Sequence, residues 1–160
     1  MNLYSDMPAG ERVGAISCRI AKTTLPFYRL RWFCVYHSIV STGLVLTRRT
    51  RFENLVACHL LKAVDMWNDL GLGDYALYYL RNKAKAEVDF LVAKNGAPWF
   101  LVEAKTSETN ITPVLATMQK ATGAAHAFQV VRDLPYSGVD AFTYREPVAV
   151  SAQSFLSQLF

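Results

Sequence analysis

Two hydrophobic periods alternate along the chain from residue 52 onward. Leu55, Val56, Leu60, Ala63, Val64 and Trp67 fall at helical spacing. They predict a helix over residues 52–69 with one apolar face, ended by Gly71 and Gly73. Residues 75–80, rich in Tyr and Leu, read as a strand, and residues 88–93 as a second. Asn95-Gly96 marks a hairpin turn into a third strand at 99–104. Thr112 and Pro113 open a helix, as N-cap and first helical residue, that runs to about Thr122 and stops at Gly123. Residues 127–131 form a buried fourth strand, and Ser151 caps a final amphipathic helix through Phe155, Leu156 and Leu159. A strand that follows a crossover helix pairs in parallel with a neighbour. The expected fold is therefore α/β, with a mixed sheet of about four strands flanked by helices.

Residues 1–51 lack any clean period; at most a short strand or helix fits within 33–46. This segment holds eight of the seventeen Lys/Arg and two of the thirteen Asp/Glu, so the basic character of the chain lies there, while residues 52–160 carry a net −2. We divide the chain into an atypical basic segment, 1–51, and a domain, 52–160. The change of character near Arg51 suggests a truncated or frame-shifted reading frame. Cys18, Cys34 and Cys58 have no zinc or disulfide spacing and read as buried free thiols of a reducing cytoplasm. The first residues lack the order of a signal peptide, and the longest uncharged run, 32–47, is too short to span a bilayer.

Charged residues inside strands this apolar need a reason. Asp89 stands on the second strand, and Glu103 and Lys105 share one face of the third, with Phe100, Val102 and Ala104 on the other. A strict two-residue Asn95-Gly96 turn sets Asp89 opposite Val102, on the wrong face. We therefore expect a three-residue Lys94-Asn95-Gly96 loop, or an equivalent bulge, that brings Asp89 to the face of Glu103. Two carboxylates so placed make a hard-oxygen site for a divalent ion such as Mg²⁺. Such an ion activates water and neutralises charge on a phosphate, with the lysine assisting. Glu53 on the first helix completes the set if that helix packs near the strand ends. Structural readings compete: pairing of Lys105 with Glu103 or Asp89 explains the cluster as well, and Glu53 fits a first-turn acid favoured by the helix dipole. Arg81 reads as a surface arginine or a phosphate contact, and Glu87 as a partner of Lys83 or Lys85. His37, His59 and His126 share no ligand spacing.

Four segments carry a further likeness: Phe52-Glu53-Asn54-Leu55-Val56, Leu77-Tyr78-Tyr79-Leu80-Arg81, Ala86-Glu87-Val88-Asp89-Phe90-Leu91-Val92, and Phe100-Leu101-Val102-Glu103-Ala104-Lys105-Thr106. In this order they resemble the C-terminal domain of unknown function of prokaryotic AAA-type ATPases, a module similar to PD-(D/E)XK nucleases. The resemblance covers about residues 52–132. It implies a restriction-endonuclease-like core, with Glu53, Asp89, Glu103 and Lys105 at the catalytic positions. It implies Asp89, Glu103 and Glu53 as ligands of Mg²⁺, with DNA as substrate. Three departures stand out, one being that residues 1–50 do not resemble the segment that normally precedes the helix. Ala21-Lys22-Thr23 lacks both glycines of a P-loop, so an ATPase domain would have to be supplied elsewhere, and Lys85 replaces a frequent glycine. The expected function is Mg²⁺-dependent hydrolysis of DNA phosphodiesters. The alternative is a non-catalytic interaction or DNA-binding module derived from an ATPase-linked protein.

Overall fold

The computed structural model describes Phe27–Arg29, residues 48–81 and residues 87–160. Its elements are β1 (Phe27–Arg29), α1 (Arg48–Asp69), β2 (Tyr75–Arg81), β3 (Glu87–Lys94), β4 (Ala97–Lys105), α2 (Pro113–Thr122), β5 (His126–Val131), a short 3-10 turn (Ala141–Thr143), β6 (Val148–Ser151) and α3 (Ala152–Leu156). The strands form one six-stranded sheet in the order β1-β2-β3-β4-β5-β6. Pairing is antiparallel from β1 to β4 and parallel from β4 through β5 to β6. The mixed α/β architecture agrees with the sequence pattern, but the sheet has six strands where about four were expected. The two extra strands are the edges. β1 falls in the aperiodic segment, and β6 has four residues, of which only Ser151 is fully buried, so neither leaves a strong alternation to read. The element looked for within residues 33–46 lies outside the described residues.

Each face of the sheet buries its own cluster. On one, Phe52, Val56, Leu60, Ala63, Val64 and Trp67 of α1 join Phe155 of α3 over Phe90, Phe100, Val102 and Phe128. On the other, Leu115 and Met118 of α2 cover Leu80, Leu91, Leu101 and Ala127. Leu55, assigned from its spacing to the apolar face of α1, is instead 49% exposed. It lies next to Val56, which points at the sheet and is fully buried, so the stripe is narrower than the hydrophobic residues that suggested it. The helix also begins four residues earlier than the pattern implied, at Arg48.

Local chemistry explains the boundaries. At the end of α1, the Asn68 side chain accepts from Tyr75 N at 2.7 Å and donates to Tyr75 O at 2.9 Å, locking the helix to the first residue of β2. Gly123 ends α2 in the left-handed region, at φ 71°. Thr112 occupies the N-cap backbone position, but its side chain makes no cap bond, contrary to expectation. Its Oγ1 is buried without a partner; separately, the Thr112 N–H donates to the Gln129 side chain, and Pro113 at the helix start has no N–H to satisfy. At α3, the Ser151 hydroxyl does cap, accepting from Ser154 N at 3.0 Å.

The free thiol of Cys58 is exposed rather than buried, because position 58 falls on the solvent side of α1; Cys18 and Cys34 lie outside the described residues. No helix among the described residues is long and apolar enough to cross a membrane.

Phe100 is fully buried and contacts the rings of Trp99, Phe128, Phe142 and Phe155. Phe100→Ala should lower the unfolding free energy by about 3–5 kcal/mol in urea denaturation. Leu55→Ala should stay within about 0.5 kcal/mol of wild type, as for an exposed position.

Candidate active site

The hairpin between β3 and β4 decides which side chains meet. Its turn is the two-residue form, not the three-residue loop: Lys94 pairs with Ala97, and Asn95 and Gly96 both take positive φ, 52° and 77°. These are the conformations of a type I′ turn, which matches the twist of the strands. The offset comes instead from a bulge one step farther along. Ala93 pairs with Pro98 and Val92 with Phe100, so Trp99 is the extra residue. Trp99 stacks on Phe142 and meets Trp67 edge-on, packing that fixes the bulge. Past it, Phe90 pairs with Val102, which brings Asp89 level with Glu103. The equivalent bulge allowed for in the sequence reading is what the strand contains.

At Asp89 the ladder parts. The last backbone pair of β3 and β4 is Phe90 with Val102. Beyond it, the Ala104 N–H donates to Asp89 Oδ2 at 2.8 Å, so a side chain takes the place of a strand. The register between β2 and β3 also shifts here, between Tyr78 and Leu80. On the far side of β4 the strand stays paired: Glu103 is aligned with Gln129 of β5, and Arg132 N donates to Lys105 O at 3.0 Å.

Glu103 is 7% exposed. Its Oε1 accepts from Lys105 Nζ at 2.8 Å, while its Oε2 is buried with no hydrogen-bond partner. A buried carboxylate oxygen left bare costs free energy unless something meets it. Burial, and then the nearby Glu103 carboxylate, push Asp89 up to about 7, against the opposing pull of the Ala104 N–H. Glu53 and Arg49 on α1 also lie within electrostatic reach of Asp89. Sequence reasoning made Glu53 a first-turn acid; since α1 starts at Arg48, Glu53 sits in the second turn and no acid occupies the first. Its partner is Arg49, whose Nε donates to Glu53 Oε1 at 2.6 Å.

The four positions thus gather as a pair with two satellites. Asp89, Glu103 and Lys105 meet at the end of the β3–β4 ladder, and Glu53 approaches from α1 tied to Arg49. Among the described residues no group of three acidic, His or Cys side chains stands close enough to hold a metal as placed. Arg81 pairs with Glu87 at 2.9 Å on the exposed rim, where Tyr79 also bonds Glu87. Lys83 and Lys85 lie outside the described residues, as does His37. His126 is buried, its Nδ1 2.7 Å from Tyr144 O, and His59 is half-buried on α1 against Phe160.

Two contributors escaped the sequence reading. One is Arg49, placed in the aperiodic segment although it stands four residues before Glu53, a spacing that pairs on a helix. The other is Gln129. Fully buried, it donates to the carbonyls of Glu108 and Asn110 and accepts from Thr112 N, holding the loop that follows Lys105. A lone amide inside an apolar strand was the available signal.

Fold and site together define a mixed α/β domain with two carboxylates and a lysine at the parting of two central strands. The chain belongs to the family described as Domain of unknown function (DUF4143), whose model matches residues 50–143, more than half of the sequence. No curated protein matches it, and no solved structure does.

The Asp89 shift fixes a pH dependence for the metal-free protein. In the folded state the carboxyl titrates near 7, and in the unfolded chain near 3.8. Between these values the folded state binds the extra proton, so this group's contribution makes stability fall as pH rises. Asp89→Asn should therefore be the more stable protein at pH 8, by on the order of 2 kcal/mol, with the gap to wild type closing as pH falls to 4. Thermal melts across that range, in chelator, measure it.

Proposed function

We propose that this domain is a PD-(D/E)XK-type, Mg²⁺-dependent phosphodiesterase acting on DNA, with a restriction-endonuclease-like core. The observation that carries the reading is the bare, buried Oε2 of Glu103 level with an Asp89 whose charge is disfavoured. Both are hard oxygens, both are destabilised as they stand, and a divalent cation relieves both. The residues therefore fit the ion. Asp89 and Glu103 would hold it, with Glu53 in support. A small, strongly hydrated cation keeps several waters and needs only one or two protein carboxylates. When bound, it supplies charge neutralisation at a phosphate and an acidified water.

The remaining chemistry belongs to the chain. Lys105, pinned by its backbone to β5 and by its ammonium to Glu103, sets a fixed positive charge beside the carboxylates, suited to the charge that builds on phosphate oxygens during attack. Gln129 keeps the segment after Lys105 closed, which limits drift of that lysine. Hydrolysis of a diester gives a phosphomonoester and an alcohol, with a water proton leaving to the surroundings.

One observation favours a second reading, an interaction or DNA-binding module that works beside an AAA-type ATPase domain supplied elsewhere. Residues 52–160 carry a net −2, and affinity for nucleic acid rests on neutralising phosphates.

Titration calorimetry with Mg²⁺ and Mn²⁺ separates the two. Wild type should bind, Asp89→Ala and Glu103→Ala should each weaken binding at least about tenfold, and cleavage of linear or branched DNA should be lost in both. A folded wild type that takes up neither ion removes the metal-dependent mechanism and leaves the module reading.

A further inference from the structure

An acidic centre repels the anion it has to receive, so some cation must meet the phosphate as it arrives. Lys105 is poorly placed for that. Its side chain is 14% exposed and its ammonium is already on Glu103. Arg49 differs on each count. Its side chain is 61% exposed, on the first turn of α1. Its charge is felt at both Asp89 and Glu103, which with Glu53 raise its basicity, the Glu53 hydrogen bond most of all. Among the described residues only its Nε–H is engaged, by Glu53. A guanidinium held at Nε keeps its terminal N–H groups to form a planar fork, the geometry that receives two phosphate oxygens together.

We infer that Arg49 is the phosphate-binding residue of this site, anchored by Glu53 and presenting its terminal N–H groups to a phosphodiester of DNA. The inference rests on the phosphodiesterase reading and deepens it. It also gives Glu53 a definite task. A carboxylate four residues on, in the next turn of the same helix, fixes a long and otherwise mobile side chain. Ion pairs exposed to this degree contribute little to stability, so the pair is better suited to aiming a charge than to holding the fold.

The test uses the full chain with a fluorescein-labelled DNA duplex in Mg²⁺, read by anisotropy at several salt concentrations, beside Mg²⁺ calorimetry without DNA. Arg49→Ala should weaken duplex binding about tenfold and reduce the slope of log affinity against log salt by about 1. Its Mg²⁺ affinity should match or exceed wild type, and Arg49→Lys should recover part of the duplex binding but not all. Position 49 is exposed, so both variants should melt with wild type. Unchanged duplex affinity and slope in Arg49→Ala overturn the inference. So does a loss of Mg²⁺ affinity matching that of Asp89→Ala, which makes Arg49 a structural prop of the carboxylates. A wild type that binds Mg²⁺ but no duplex overturns this inference and leaves the metal site standing. A wild type that binds duplex through Arg49 but no Mg²⁺ supports it and sinks the metal mechanism.

Discussion

The Ala104 amide has to find an acceptor in the middle of a central strand, and it finds the carboxylate of Asp89. A backbone N–H buried without a partner is rarely tolerated. Once this bond forms, β3 is free to leave β4 after Phe90 without leaving the amide bare. The parting makes room for Asp89 beside Glu103. It also places Glu103, held on its other side by the parallel pairing to β5, at the lip of the opening rather than deep inside a continuous sheet. The position of the site follows from that single substitution of a side chain for a strand.

Charge balance then depends on elements far apart in sequence. Three carboxylates approach one another from α1, β3 and β4, and two cations answer them. Lys105 answers Glu103 from the same strand face, at low exposure, where removing one partner would strand the other. Arg49 answers Glu53 at the solvent side. The inner pair is stiff and the outer pair is open, so the site has a fixed interior charge and an accessible one. Gln129 contributes without charge. Its amide is fully spent on the loop after Lys105, which is why it does not satisfy Glu103 although the two are aligned on neighbouring strands.

The sequence made the central elements legible because their cores are long and periodic. The α1 stripe, the Asn95-Gly96 turn, the Pro113 start and the Gly123 stop each have one dominant local cause; the turn, the start and the stop stand where that cause put them, and the stripe does so apart from Leu55 and the four residues that precede it. The placing of Asp89 beside Glu103 was reachable as well, since alternation left a bulge as one of two ways to align them. What was not legible depends on tertiary contacts. The bulge sits at Trp99 because an aromatic cluster holds that ring, and no turn rule encodes it. Leu55 faces solvent because the stripe is narrower than its hydrophobic residues. Thr112 leaves its cap unused: its Oγ1 is buried without a partner, and the Leu115 N–H goes to its backbone carbonyl. The edge strands β1 and β6 owe their existence to pairing with neighbours and have almost no pattern of their own.

The tight turn at Asn95-Gly96 also bears on how the chain folds. Asp89 and Ala104 are only 15 residues apart, closed by the shortest turn a hairpin can have, and short loops form early and cheaply. The parallel pairing of β5 must wait for a helix to cross over, a slower closure. The acidic hairpin is thus a local product of the chain, while Gln129 and its loop are late arrivals. A folding intermediate with β2, β3 and β4 in place would already hold its two carboxylates side by side, with Lys105 paired to Glu103, before β5 secures the backbone of that lysine.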